Sequence, residues 1–287
     1  MKVTLAITTY DRSEYLIKMQ KSLYASKKIE ECNIRIYDDC SKSYDTKYLQ
    51  QLFPKAKSII RQKKNLKGDG NLKQAMINFL STDDDIFVIT DSDIIFHPDW
   101  IIFLTEHINY TEGVMSLFNS ILHTSYEKTI INGNPFLLKD AIGAAGTVMN
   151  RKIVKIITEK LQDPRGIDWK FSDILKNVDI RLFVSEKSYV QHIGIHGKHN
   201  IGYRTDYGLN FQPGNDINTE IMNQYYEELL ISIDKQFENL VYKDDINYRL
   251  GKFILSPLKL LRHPLQTINN SKSVLNRKKR SNNSHRK

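Results

Sequence analysis

Two aspartates interrupt one of the most apolar segments of the chain. Asp91 and Asp93 lie within DIFVITDSDIIF, directly after a predicted strand. Carboxylates in such a segment are expensive to desolvate unless a cation or hydrogen-bond donors meet them. Mg²⁺ and Mn²⁺ prefer oxygen ligands, so one such ion could neutralise the pair and bridge a diphosphate. The alternative is a turn whose aspartates cap the next helix, but the position at a strand end favours the metal site.

Polar residues also follow other strands of the first third of the chain. There, short β-branched runs such as KVTLAITTY and NIRIYDD alternate with helical periods near 13–26, Tyr48 and 71–80. This pattern predicts an α/β fold with a mostly parallel, twisted sheet flanked by helices. Ligands collect beyond the carboxyl ends of such strands. We therefore expect one crevice lined by Thr8, Thr9, Tyr10, Asp38, Asp39, Asp91, Ser92 and Asp93.

Later segments continue the same fold. GVMSLFNS, GAAGTVMN and IRLFVS predict strands, and helices are predicted over 151–161 and about 218–239. A glycine-containing turn with Asn65, Lys67, Gly68 and Gly70 opens the helix at 71, where free backbone N–H groups could cradle a phosphate. It lacks the Walker pattern, which argues against a nucleoside triphosphatase. An ordinary helix start is the alternative.

Composition narrows the class of protein. The chain of 287 residues suffices for one large core, and its net charge of +9 comes from 246–287, which holds 11 of the 42 Lys and Arg residues and none of the 33 Asp and Glu residues. Residues 1–245 therefore carry no excess of positive charge that would attract polyanions in general. With two cysteines, Cys32 and Cys40, and neither a secretory signal nor a spanning segment in the sequence, we expect a cytoplasmic protein with reduced thiols.

Four motifs in order, TTYDR, YDDCS, KNLKGDGNLKQA and TDSD, resemble the donor-binding half of GT-A glycosyltransferases, especially family 2. The resemblance covers about residues 3–100, and more thinly extends to about 200. It implies a GT-A fold and a metal-dependent, inverting transfer of a sugar from a UDP-sugar to an acceptor hydroxyl. Mn²⁺ or Mg²⁺ is the implied cofactor. On this resemblance the metal ligand is Asp93, and the donor-binding residues are Thr8, Thr9, Tyr10, Arg12, Asp38 or Asp39, Asn65, Lys67, Gly70, Asp91 and Ser92.

A histidine-containing segment, YVQHIGIHG, carries a second resemblance. Gln191-His192-Ile193-Gly194 is similar to a stretch of branching N-acetylglucosaminyltransferases, which implies that His192 completes the metal site. His196 and His199 are weaker candidates for phosphate contacts. The alternative for a lone histidine is a packed core or surface residue.

An inverting transferase also needs a carboxylate that takes the proton of the acceptor hydroxyl. GT-A enzymes commonly hold this base in an acidic segment beyond Asp-x-Asp, which implies Asp168 as the catalytic base and Asp173 as the second choice. The neighbouring Trp169 could stack on a sugar face. The alternative is that Asp168 only caps the helix predicted over 169–176.

The resulting domain plan places a catalytic domain at 1–245, with a donor-binding half at 1–100, an acceptor half at 101–212 and a helical extension at 213–245. The basic amphipathic tail, 246–287, either binds an anionic membrane surface, which would make the enzyme peripheral, or packs on the domain. Lys-, Asn- and Ile-rich composition favours a microbial source, so the expected acceptor is a bacterial surface glycan or a lipid-linked oligosaccharide.

Two other classes compete with this interpretation. A sugar-phosphate nucleotidyltransferase also uses a doubly wound sheet and metal-binding aspartates, but the glycine-rich loop that normally opens such enzymes is missing from TTYDRSEY. A nucleic-acid-binding protein would depend on the tail alone, and we expect no specific nucleic-acid partner.

Overall fold

The structure is a computed structural model that describes residues 1–195 and 206–237. Strands and helices alternate through its first part, as the apolar periods predict. These elements are β1 (Val3–Thr9), α1 (Ser13–Tyr24), β2 (Cys32–Asp38), α2 (Thr46–Leu52), β3 (Ser58–Arg61), α3 (Lys67–Leu80) and β4 (Ile86–Asp91). Helix α3 begins at Lys67 rather than Asn71, because the Asp39 carboxylate accepts a hydrogen bond from the Leu66 N–H at 2.6 Å and extends the first turn.

The second part of the described chain adds further strands and α-helices. They are β5 (Ile94–Phe96), α4 (Trp100–His107), β6 (Val114–Ser116), β7 (Ser125–Ile131), β8 (Asn134–Lys139), β9 (Thr147–Asn150), α5 (Arg151–Lys160), α6 (Ile167–Lys176), β10 (Phe183–Ser185), β11 (Val190–His192) and α7 (Asp216–Phe237). The sequence does not predict the β7–β8 hairpin, because most of β7 is exposed and its residues show no buried alternation.

A nine-stranded sheet forms the centre of the protein, in the order β3-β2-β1-β4-β9-β6-β10-β8-β7. Strands β3, β2, β1 and β4 are parallel, whereas β9 runs antiparallel to both β4 and β6. The register places Thr9 opposite Asp38 and Thr8 opposite Asp91. The α/β fold with a central sheet flanked by helices is thus confirmed, and the polar ends of three strands meet at one edge.

Apolar side chains cover both faces of this sheet. In β1, Leu5 and Ile7 join a buried cluster that contains residues of α1, α2 and α4, whereas Ala6 joins a second cluster with residues of α3, α5 and α6. Successive residues of a strand point to opposite faces, so β1, β2 and β4 each contribute to both clusters. This double burial holds the carboxyl ends of β1, β2 and β4 in fixed positions.

A small two-stranded sheet lies outside the main one. Strands β5 and β11 pair antiparallel, with His192 opposite Ile94, and the Ile193 N–H donates to the Asp93 carbonyl at 2.8 Å. Residues far apart in sequence, Asp93 and His192, are thereby brought side by side.

The chain divides into two compact units, Met1–Glu228 and Leu229–Lys287, and only 229–237 of the second are described. The candidate residues His196 and His199 and the basic tail, 246–287, lie outside the described residues. No helix within the described part is both long enough and apolar enough to span a membrane.

Candidate functional site

Acidic side chains gather at the edge of the sheet where β1 and β4 end, and we call this edge the crevice. The Thr8 hydroxyl donates to Asp91 Oδ1 at 2.7 Å, which fixes this carboxylate across the strand pair. Asp93 follows in the turn between β4 and β5, and it is buried. Two carboxylates therefore lie next to each other at the sheet edge, as the Asp-x-Asp spacing predicts.

An arginine and a histidine meet the Asp93 carboxylate. Arg12 Nη1 forms an ion pair with Asp93 Oδ2, and His192 Nε2 lies 3.3 Å from the same oxygen. Arg12 directly precedes α1, so the end of β1 also contributes to the site. His192 Nδ1 is buried and has no hydrogen-bond partner among the described residues.

The pKa values of this group are strongly perturbed. Burial among protein atoms and the negative charge of Asp93 raise the pKa of Asp91 to about 6, although Asp91 keeps contact with solvent in the crevice. Burial acts to raise the pKa of Asp93, but His192 and Arg12 outweigh it and lower that pKa to about 2. Burial acts to lower the pKa of His192, yet the Asp93 carboxylate makes the net shift upward. Asp93 is therefore a permanent negative charge at neutral pH.

The chemistry of these donors suits a divalent cation. Carboxylate oxygens match Mg²⁺ and Mn²⁺, and an imidazole nitrogen is a common transition-metal ligand. Gly194 lies close against Asp93, and only a residue without a side chain fits there, since a Cβ would lie 2.2 Å from Asp93 Oδ2. No three His, Cys, Asp or Glu side chains in 1–195 and 206–237 are grouped to hold a metal ion by themselves. An ion bound here would need further oxygen ligands from a substrate or from water.

The two aspartates at the end of β2 have different partners. Asp38 is fully buried, where it accepts hydrogen bonds from the Ser41 hydroxyl at 2.5 Å and from the Arg61 guanidinium. Asp39 instead holds the turn before α3 through the Leu66 N–H. Burial raises the pKa of Asp39. Both carboxylates organise backbone around the crevice.

The remaining residues of the predicted donor site surround these aspartates. Thr9 shares a 2.5 Å hydrogen bond with the Tyr44 hydroxyl, Ser92 is buried, and Tyr10 is 39% exposed. Asn65 Oδ1 accepts from the Lys67 N–H at 2.9 Å, which tightens the turn.

A Cβ at Gly70 would lie 3.0 Å from Leu66 Cβ, so this glycine permits the turn to close. Next to this region a cleft of about 500 Å³ is lined by Ser41, Lys42, Ser43, Tyr44, Asp45, Tyr48 and Arg61.

The two candidate bases lie on α6 in different surroundings. Asp168 lies in the first turn of α6, and its negative charge acts to raise the pKa of Asp91. Asp173 is exposed to solvent and forms an ion pair with Lys176 at 3.0 Å. The Asp168 side chain therefore shares the electrostatic environment of the crevice, whereas the contact of Asp173 is an ordinary surface pair along one helix.

The beginning of α6 is capped by a residue from another helix. Gly166, the N-cap residue, has no side chain, and the Asp69 carboxylate of α3 accepts from the N–H groups of Gly166 at 2.9 Å and Ile167 at 3.4 Å. Lys73 adds a bond to the Leu161 carbonyl at 3.1 Å. Sequence reasoning missed this contact, because no local pattern relates Asp69 to a turn almost one hundred residues later.

Sequence reasoning also missed Asp206. Its Oδ1 accepts from the Ser120 hydroxyl at 2.7 Å, and burial raises its pKa although His123 and His192 act to lower it. Asp206 thus links the His192 side of the crevice to the segment after β6. The only sequence signal was an acidic residue among the glycines that follow the histidine segment.

Comparison with known proteins identifies the class. Residues 4–137 match the family model described as Glycosyl transferase family 2. The solved structure of GalNAc-T7 with UDP, GalNAc and Mn²⁺ has a TM-score of 0.57 at 11% identity, over 88% of this chain and 54% of that chain. S. aureus TarS 1-349 in complex with UDP-GlcNAc has a TM-score of 0.51 at 13% identity, over 87% and 78%. No curated protein matches the chain by sequence.

The fold is therefore the GT-A fold. The chain is a glycosyltransferase, and its match to the family 2 model covers residues 4–137, a little under half of the chain.

Adding a side chain at Gly194 is expected to disturb the candidate cation site. In Gly194→Ala the new methyl group would collide with Asp93 Oδ2, so Mn²⁺-dependent UDP binding should weaken by about tenfold or more. Gly143→Ala is the matched control, because a Cβ there meets nothing within 4 Å. Calorimetric titration of both variants measures the effect, and equal affinity in the two would show that Gly194 does not border the ion.

Removing the cap on α6 is expected to affect both stability and turnover. Asp69→Ala should lower the free energy of unfolding by about 1 kcal/mol, since two N–H groups lose their acceptor. It should also lower kcat more than it raises the KM for the donor, because Asp168 follows the capped residues. Asp69→Asn retains an acceptor oxygen and should recover much of the lost stability and of the lost kcat. A kcat that stays at the wild-type value in Asp69→Ala would show that the cap on α6 does not affect catalysis.

Proposed function

We propose that this glycosyltransferase transfers a sugar from a UDP-sugar to an acceptor hydroxyl, with inversion at the anomeric carbon and with Mn²⁺ or Mg²⁺ as cofactor. The observation that carries the proposal is the pairing of Asp93 with His192 at the end of β4, beside Asp91. Asp93 and His192 would hold the ion, and diphosphate oxygens would complete its coordination. The similar structure of GalNAc-T7 is a complex with UDP, GalNAc and Mn²⁺, and that of TarS is a complex with UDP-GlcNAc, which supports this choice of donor and metal.

Arg12 would change its anionic partner when the donor binds. Its guanidinium contacts the Asp93 oxygen that would face the ion, and it also lies 5.4 Å from the centre of the Tyr15 ring. A diphosphate offers Arg12 an alternative anionic partner in the same place. We expect Arg12 to turn from Asp93 to the diphosphate when donor and metal bind together.

Asp168 is the proposed base of a single-displacement reaction. Its electrostatic interaction with Asp91 supports this choice, because a carboxylate close to the donor can take the acceptor proton while the sugar is transferred. The donor would be bound by the residues proposed from the sequence, from Thr8 to Ser92. A bacterial surface glycan or lipid-linked oligosaccharide remains the proposed acceptor, and binding of the tail to an anionic membrane remains a prediction.

Release of UDP tests the donor and the metal together. The protein is incubated with UDP-glucose, UDP-galactose, UDP-GlcNAc and UDP-GalNAc, and with GDP-mannose as the comparison, each with Mn²⁺, Mg²⁺ or EDTA. We expect slow hydrolysis of one or more UDP-sugars that EDTA abolishes. A preference for GDP-mannose, or turnover that EDTA leaves unchanged, would contradict the proposal. Pyrophosphate formation from UTP and a sugar 1-phosphate would instead indicate a nucleotidyltransferase.

A further inference from the structure

Large apolar side chains project into solvent from the segment between β6 and β7. Ile121, Leu122 and Tyr126 are 56%, 61% and 61% exposed. A single exposed apolar side chain is ordinary on a protein surface, but three of them within residues 121–126 form a concentrated apolar surface. Such a surface marks a place where a partner covers the protein.

Hydrogen bonds hold the backbone of this segment on both sides of the apolar side chains. The buried Lys139 donates from Nζ to the Ser120 carbonyl at 2.5 Å, and Ser120 also forms a β-bridge with Gly208. The Asp140 N–H donates to the Thr124 carbonyl at 3.1 Å. The fold therefore positions this surface by itself, and a partner does not have to order it on binding.

A tryptophan from α6 extends the apolar surface. The His123 ring stacks on Trp169, with ring centroids 5.4 Å apart and planes 16° from parallel, and Trp169 remains 61% exposed. Tryptophan and tyrosine are the side chains enriched where proteins meet the membrane–water interface. We use the term apolar rim for the four exposed side chains Ile121, Leu122, Tyr126 and Trp169.

The charge of the chain indicates which partner covers the apolar rim. Residues 246–287 hold 11 Lys and Arg residues and no Asp or Glu, so this segment is attracted to anionic lipid. Stable attachment to a bilayer usually combines such attraction with a small apolar contact, because either one alone is weak. The four side chains of the rim also offer much less area than the roughly 800 Å² per partner of a stable protein–protein interface.

We propose that the apolar rim inserts into the interface of an anionic lipid bilayer, with residues 246–287 supplying electrostatic attraction. Trp169 directly follows Asp168, so the docked protein would hold the proposed base close to the bilayer surface, where a lipid-linked acceptor would lie. This inference goes beyond the proposed function, because insertion of the rim depends neither on the donor nor on the metal.

Tryptophan fluorescence tests the insertion, because the apolar rim contains one of the two tryptophans and the other, Trp100, is fully buried. The whole chain is mixed with vesicles of phosphatidylcholine and phosphatidylglycerol, with or without bromine atoms on the acyl chains, which quench nearby indoles. We expect the emission to shift to shorter wavelengths and the brominated chains to quench it in the wild type, but not in Trp169→Phe. Vesicles of phosphatidylcholine alone should give a much weaker response, because they lack anionic headgroups.

A pair of serine variants measures the contribution of the aliphatic side chains. Ile121→Ser/Leu122→Ser should lower the partition coefficient onto the anionic vesicles, measured by co-sedimentation, by about tenfold or more, while Mn²⁺-dependent UDP binding stays unchanged. Ile17→Ser/Ile77→Ser is the matched control, because these isoleucines are 40% and 44% exposed on α1 and α3. Its partition coefficient should equal that of the wild type.

Co-sedimentation of the wild type without quenching by brominated chains would show that the rim stays in water, and it would overturn the inference. Equal partition of Ile121→Ser/Leu122→Ser and the wild type, or an equal response to neutral vesicles, would overturn it as well. A lipid-independent dimer that this double variant dissociates would assign the rim to a second copy of the chain instead. Failure of the wild type to bind UDP would contradict the proposed function and not this inference.

Discussion

Replacing Asp168 by Asn is expected to lower kcat by about 10²- to 10⁴-fold, because the amide cannot accept the proton of the attacking hydroxyl. The affinity for UDP with Mn²⁺ should stay near the wild-type value, since Asp168 lies on α6 and not among the proposed ligands. The measurement is the initial rate of UDP release, with water as the attacking group where no acceptor is supplied.

The same helix offers the control for this variant. Asp173→Asn removes an exposed carboxylate whose partner is Lys176, and surface substitutions of this kind usually change stability by less than about 0.5 kcal/mol. We expect its turnover to match the wild type. Full activity in Asp168→Asn with loss of activity in Asp173→Asn would reverse the assignment of the base.

Replacing Asp93 by Ala is expected to abolish metal-dependent turnover, with a loss of about 10³-fold or more. The carboxylate is the shared partner of Arg12 and His192, so its removal takes away a proposed ligand and leaves the Arg12 guanidinium without its counter-ion. Both the rate of UDP release and its stimulation by Mn²⁺ should disappear. Circular dichroism establishes that the variant is folded.

Asp83→Ala is the control for the Asp93 variant. Asp83 is exposed and precedes β4, at the opposite end of the strand from Asp91. Its removal changes the net charge equally but leaves the crevice intact, so activity should stay near the wild-type value. Mn²⁺ stimulation that persists in folded Asp93→Ala would contradict the assignment of Asp93 as a ligand.

The fold was predictable wherever an element is long and its apolar pattern is regular. Strands β1, β2 and β4 are buried runs separated by amphipathic helices, and parallel strands with helices between them place their carboxyl ends at one edge. The convergence of Thr8 and Asp91 follows from that rule alone. The β7–β8 hairpin did not follow, because exposed residues give no periodic signal.

Local sequence patterns did not predict the contacts that shape the site. Pairing of β5 with β11 brings His192 to Asp93, but each strand has three residues, too few for a period to be read. Only the resemblance of the Gln-His-Ile-Gly segment indicated His192. Tertiary packing produces the ion pair of Asp38 with Arg61 and the cap that Asp69 provides to α6. Neither contact can be predicted from residue spacing in the sequence.

The proposed function requires that Asp93 and its neighbours bind a divalent ion and a diphosphate as one unit. The most direct measurement is calorimetric titration of UDP into the protein with and without Mn²⁺, together with titration of Mn²⁺ with and without UDP. Each ligand should strengthen the other by the same factor, as thermodynamic linkage requires. UDP affinity that is the same in Mn²⁺ and in EDTA, or no binding of either ligand, would contradict the claim.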